Sequence, residues 1–271
     1  MSLRIQTNIE AFNAHRNLVN NASMLAKSEE RLSSGYRINR AADDAAGLAI
    51  SQKLQAQIGG LQQSQRNGQD AVSLVQTAEG ALSEVHSMLQ RVRDLAVQYN
   101  NGTLSTADKT TITSEVAQLC AEISRIGSTT QFNGIDLLQG GATITFQVGT
   151  ADGQTITVGA AKLFGAGSTN SVDSGIFAFT GTTLLASIDA AIANVSTARS
   201  NFGAVQNRLE HTLNSLSTYE ENLTASNSRI RDVDMASEMV NFTKLQILQQ
   251  AGMSMVAQAN SAPQGVLKLL G

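Results

Sequence analysis

The chain has 271 residues and a formal net charge of −3, with 42% hydrophobic but only 4% aromatic residues, no Trp and one Pro. Its Lys and Arg are scattered, which excludes the basic stripe that phosphate neutralisation needs, so nucleic acid is not an expected partner. No apolar run approaches the roughly 18 residues of a membrane-spanning helix, so no membrane insertion is expected.

The hydrophobic set is drawn mostly from Ala, Leu, Val and Ile, with Gln, Asn, Ser and Thr as its polar partners. That mixture suits narrow helix seams better than a thick core, and it predicts a mainly α, elongated molecule. Met1 to Ile9 alternates polar and apolar residues without a signal-peptide h-region, so the chain is expected to stay cytoplasmic or to be exported without leader cleavage. The single cysteine, Cys120, excludes an intramolecular disulfide and a cysteine-based zinc site, and it reads as a small hydrophobe on a helix face.

In chain order, the first segment carries a thin apolar stripe at Ile5, Ile9, Phe12, Leu18, Leu25 and Leu32. Such a helix has nothing to bury its one narrow face against, so it is expected to stay unfolded until it finds partners. Ser33-Ser34-Gly35 supplies the stop signal. The run from Leu32 to Ile50 is dense in charge, with Arg31, Arg37 and Arg40 set against Asp43 and Asp44. It reads either as solvated surface or as a charge-latched joint between helices. Asp43 and Asp44 also mark the start of the next helix, one of them as its N-cap.

Residues 44 to about 99 keep a seven-residue series at Leu54, Leu61, Val75, Leu82, Leu89 and Ala96. The second apolar member drifts from four residues later to three, as on a nearly straight helix of roughly 80 Å. Asn100-Asn101-Gly102 ends it, Ser105 to Asp108 reads as a capping box, and Ile112, Val116, Leu119, Cys120, Ile123 and Ile126 predict a shorter helix. Gly127 to Gly141 reads as turns centred on Asn133-Gly134.

From 142 to 158 the period becomes two: Ile144, Phe146 and Val148, a turn at Ala151-Asp152-Gly153, then Ile156 and Val158 predict a β-hairpin. Gly159 to Thr183 reads as loop with one short strand, its anchors being Leu163, Phe164, Ile176, Phe177 and Phe179.

Ile188, Val195, Phe202, Leu209, Leu216, Leu223 and Ile230 then repeat every seven residues without a miss. Two long helices joined by compact material are expected to pack antiparallel along these seams. Arg229, Arg231, Asp232 and Asp234 form a second charged joint, and the last segment returns to a thin stripe at Met239, Phe242, Leu245, Met253, Val256, Leu267 and Leu270.

Enzyme chemistry is not indicated. His15, His86 and His211 lie in separate segments, each reading as a surface helix residue, and the carboxylate pairs are adjacent in sequence and so diverge on a helix. No catalytic, cofactor or metal site is expected.

The stretch Arg31-Leu-Ser-Ser-Gly-Tyr-Arg-Ile-Asn-Arg-Ala-Ala-Asp-Asp-Ala-Ala-Gly-Leu-Ala-Ile-Ser51 resembles the most recognisable motif of the bacterial flagellins. Gln90 to Gln98, Gln131 to Gly134 and Ser228 to Asp234 are similar to further motifs of that family, in the same order. The likeness spans about residues 1–158 and 184–271 and implies a short form with two domains only. Residues 1–43 and 235–271 would be the arms of the inner tube, D0; residues 44–183 and 184–234 would form the D1 layer, with no outer domains between them.

What the resemblance implies is a structural subunit, exported unfolded, that polymerises outside the cell into the filament of the bacterial flagellum. Its arms would pair in the assembled filament. A hook-filament junction protein of the same apparatus is the alternative. Implied partners are other copies of the chain, an export chaperone, and the hook-associated junction and cap proteins. Arg91, Leu95 and Glu115 match the positions by which some flagellins meet the vertebrate Toll-like flagellin receptor, so recognition there is a further expectation.

Overall fold

The computed structural model describes residues 8–140, 143–159, 163–164 and 184–270, with backbone only for 184 and 262–270. Five helices and four short strands follow one another: α1 (Ile9–Ser34), α2 (Ala45–Tyr99), α3 (Thr106–Thr129), β1 (Gln131–Phe132), β2 (Ile135–Asp136), β3 (Ile144–Gln147), β4 (Thr155–Val158), α4 (Leu184–Arg231) and α5 (Met235–Leu270). They group into two compact units, Gln57–Glu221 and Met1–Ala56 with Asn222–Gly271.

In the first of these units the heptad seams become the core. Leu61, Val75, Leu82, Leu89 and Ala96 of α2 are buried, as are Ile188, Val195, Phe202, Leu209 and Leu216 of α4. Arg93 Nε donates to Asp189 (2.7 Å), Arg199 reaches Glu79 (3.5 Å), and Gln62 and Gln65 donate to Glu220 (2.8 Å each). The partners climb along α2 as they descend along α4, so the helices run antiparallel. The one gap in the α2 series falls at Gly68, which is buried; a Cβ there would stand 2.8 Å from Leu213 Cδ2. The seam is thus kept by a bare backbone that admits a leucine from α4.

α3 begins at the expected capping box: Ser105 Oγ accepts from Asp108 N (3.2 Å) while Ser105 N donates to the Asp108 carboxylate (3.1 Å). It buries Ile112, Val116, Cys120 and Ile123. Burial pushes the Cys120 thiol up to about 11, as befits a small hydrophobe rather than a reactive group. The expected stop at Gly127 is not taken. The helix continues to Thr129, because Gly127 is needed against the Phe164 ring rather than as a cap: a Cβ there would lie 2.5 Å from Phe164 Cγ.

The hairpin predicted between 142 and 158 is β3–β4, with Phe146 opposite Ile156 and Ile144 opposite Val158. The turn at Asn133-Gly134 is itself a hairpin tip, joining β1 and β2. Both tip residues have positive φ (49° and 77°), which Asn and Gly tolerate best. Just after it Leu137 and Leu138 are buried, and Leu138 O accepts from Leu163 N (3.3 Å) and Phe164 N (3.2 Å). Leu163 and Phe164 are core residues; Ile176, Phe177 and Phe179, and the short strand expected near them, lie outside the described residues.

Candidate assembly interface

The second unit holds the two terminal segments, and they form α1 and α5 packed on each other. Asn8 caps α1 by accepting from Ala11 N (3.0 Å), and its Nδ2 donates to Ala259 O (2.7 Å) on α5. Gly252 lies beside Leu18, where a Cβ would come within 3.2 Å of Leu18 Cδ1. Further along, Ser28 Oγ donates to Glu238 Oε1 (2.5 Å), and Arg31 stands 3.8 Å from the same carboxylate. Residue numbers rise on one helix as they fall on the other, so this pair is also antiparallel.

The contact line divides the two apolar stripes. Leu18, Leu25, Leu32, Phe242, Leu245 and Val256 are half-buried. Ile9, Phe12, Met239 and Met253 are exposed, Phe12 by 70%. So are Val19, Val240, Ile247 and Met255, which the stripes do not include. Ile5 lies outside the described residues, as do the side chains of Leu267 and Leu270. One line of small and apolar residues closes the pair, and a second apolar surface is left facing outward. Covering a large apolar side chain contributes about 1.5–3 kcal/mol, so this surface is a substantial store of association energy.

The joint predicted from Leu32 to Ile50 lies in the same unit. α1 ends on Gly35 in the left-handed conformation (φ 74°), whose N–H donates to Arg31 O (2.9 Å). The outgoing chain then pairs with the returning one: Tyr36 bridges Asp232, Arg37 N donates to Arg231 O (2.7 Å), and Val233 N donates to Gly35 O (3.1 Å). The Arg231 guanidinium sits over the Tyr36 ring, 4.2 Å from its centroid. Ile38 is 1% exposed, and its Cδ1 lies where Gly47 leaves room; a Cβ on Gly47 would come within 2.8 Å of it.

The joint's charges are present, but they are not arranged as the linear sequence suggests. Arg31 turns to Glu238, Arg40 Nε pairs with Glu30 (3.0 Å), and Arg37 donates to Ile230 O (2.6 Å). Asp43 meets Lys27 instead (2.6 Å) and also accepts from the backbone N–H groups of Asn39 (3.2 Å) and Arg40 (3.1 Å). The Lys27 ammonium first, then those two amides, hold the Asp43 carboxyl at about 2, below the usual carboxylate range. Asp44 is the N-cap of α2, its Oδ1 accepting from Gly47 N (2.9 Å). Asp234 does the same for α5, accepting from Ala236 N (3.0 Å) and Ser237 N (3.2 Å). Each chain direction therefore leaves the joint through an Asp-capped helix. Arg229 and Asp232 are exposed.

Arg91 and Glu115 pair on the surface, Arg91 Nη2 lying 2.7 Å from Glu115 Oε1, while Leu95 is 2% exposed and belongs to the core. Of the histidines, His15 and His211 are exposed, whereas His86 is half-buried with Nε2 3.0 Å from Gln90 Nε2. Among the described residues no three His, Cys, Asp or Glu gather as a metal site, and no helix is long and apolar enough to cross a membrane.

Family models settle what this arrangement belongs to: the bacterial flagellin N-terminal helical region matches residues 5–143, and the C-terminal helical region matches residues 185–270. The chain belongs to the bacterial flagellin family. A flagellin of Halalkalibacterium halodurans is 51% identical over 269 residues, covering 98% of this chain and 99% of that relative. A flagellin of Bacillus subtilis is 46% identical over 305 residues, covering 99% of this chain and 100% of the relative. The crystal structure of Bacillus cereus flagellin is 34% identical, with a TM-score of 0.50, covering 60% of this chain and 94% of that one. Coverage of the relatives' length fits the short form, with D0 and D1 alone, and flagellins matching end to end do not favour the junction alternative.

Proposed function

We propose that the chain is the structural subunit of a bacterial flagellar filament and that α1 and α5 make the contacts that build it. The observation that carries this is the outward apolar surface of the paired arms, with Phe12 at 70% exposure and Ile247 at 65%. Further copies cover it with a different part of their own surface, a head-to-tail contact that does not close on itself and so repeats into a helical filament. The arms, residues 1–43 and 235–271, supply the inner tube, and residues 44–183 and 184–234 supply the layer around it. The charges of the joint, with Lys27 added to those read from the sequence, latch the connector between them. How little these helices bury alone supports ordering of the arms on assembly, which is compatible with the export of the unfolded chain that the family resemblance implies.

Deleting residues 1–30 or 240–271 should leave the core of residues 57–221 folded, with its helical circular dichroism retained, and abolish filaments in negative-stain microscopy after seeding. Filaments from either truncation would refute the assignment. Full-length chain that binds seeds yet never elongates would favour the junction reading. An export chaperone on the exposed face of α5 and the cap and junction proteins at the filament ends complete the set of partners.

A vertebrate Toll-like flagellin receptor fits the Arg91–Glu115 surface, where two exposed charges offer polar contacts. Because Leu95 is in the core, its share is to hold that surface in place. Arg91→Ala should lower the response of receptor-bearing cells without lowering the melting temperature by more than a degree or so, since the pair is exposed. An unchanged response would remove the receptor from the list of partners.

A further inference from the structure

The methionines are distributed unevenly. Of the six among the described residues, Met88 packs against the core, while Met24, Met235, Met239, Met253 and Met255 stand 47–61% exposed on α1 and α5. Like Phe12, Val240 and Ile247, they are apolar groups that the α1–α5 pairing leaves uncovered. A thioether is apolar and adaptable enough for a packing face, but it is also the group there that takes up oxygen under mild conditions.

We propose that these five thioethers make assembly of the free chain sensitive to peroxide-class oxidants. The proposal rests on the filament reading and adds a chemical regulation to the same surface. Hydrogen peroxide delivers one oxygen atom to the sulfur: its O–O bond breaks, an S–O bond forms and water leaves. The sulfur is oxidised and the peroxide oxygen reduced. The resulting sulfoxide is polar, and a face carrying several of them loses water-excluding contact with a second copy. In the free chain all five sulfurs are accessible. Met88 is half-buried against the core and Cys120 is 4% exposed, so both meet the oxidant more slowly than the five arm positions.

The test begins with purified free chain treated with hydrogen peroxide and mapped by peptide mass spectrometry. Sulfoxide is expected at the five arm positions before it appears at Met88. After the peroxide is removed, seeded elongation followed by light scattering should be slower by roughly tenfold or more. Methionine sulfoxide reductase should restore it. A variant with Leu at all five positions should elongate alike with and without treatment, because those positions then carry no thioether to oxidise. Reductase rescue of the wild-type chain decides the matter if that variant elongates poorly. Oxidised wild-type chain that elongates at the untreated rate, or slowed elongation that the reductase cannot reverse, would overturn the proposal. Untreated chain that never elongates from seeds would overturn the filament reading and this inference with it.

Discussion

Three groups converge on the Asp43 carboxylate: the Lys27 ammonium and the amides of Asn39 and Arg40. All three favour the ionised form, which is why its pKa falls from 3.8 to about 2. A carboxylate with a depressed folded pKa stabilises the fold fully above its unfolded value, and that contribution disappears as the pH falls through the folded one. Asp43→Asn keeps an oxygen for the amides but removes the charge. At about pH 6 the variant should therefore melt below the wild-type chain, and the two melting temperatures should converge as the pH is lowered toward about 2. A gap that stays constant from pH 6 to pH 3, on the order of these pKa values, would mean that Asp43 acts through shape rather than charge. The sequence marks the right segment here, since charges of both signs surround a helix stop and a helix start. It cannot pair them: Lys27 reaches Asp43 and Arg40 reaches Glu30 only once Gly35 has turned the chain back on itself.

At the scale of the elements, α3 shows how a packing contact overrides a local signal. Glycine in a helix interior costs about 0.5–1 kcal/mol relative to Ala, so Gly127→Ala would stabilise an isolated helix. In the folded chain the added methyl meets the Phe164 ring, which is 6% exposed. Overpacking of that kind costs about 1–3 kcal/mol, which exceeds the propensity gain, so Gly127→Ala should destabilise the chain in urea unfolding. A stabilised variant would show that the 163–164 segment yields readily. The long helices are legible because burial recurs every seven residues along their apolar seams, a signal summed over many turns: Val75, Leu82, Leu89 and Ala96 are all buried, as are Ile188 through Leu216 at the same interval. The β1–β2 hairpin is not legible as strands, since two residues on each side carry no alternation. Leu137, Leu138 and the role of Gly127 depend on contacts that span dozens of residues and leave no local period. In the arms the stripes mark apolar positions but are silent on their division, because which half faces the other arm is set by the α1–α5 crossing.

Over the whole molecule, buried apolar surface is concentrated in residues 57–221, where α2, α3, α4 and both hairpins feed one core. Among the described residues of the other unit the buried large hydrophobic side chain is Ile38, accompanied by the polar groups Ser28, Ser51 and Glu238. Regions with few buried apolar contacts open at a small fraction of the global free energy. Backbone amides of α1 and α5 in the free chain should therefore exchange with deuterium orders of magnitude faster than those of residues 71–96, at any denaturant concentration below the main transition. Adding neighbours changes this balance without altering a residue of the sequence, because the exposed Phe12, Val240 and Ile247 each gain about 1.5–3 kcal/mol when fully covered. In assembled filaments the α1 and α5 amides should approach the protection of the α2 core, while residues 71–96, already covered, change little. Mass spectrometry of exchanged peptides from the two states measures both. If α1 and α5 were as protected in the free chain as in the filament, the arms would be folded before assembly, and neighbours would only dock onto a finished surface.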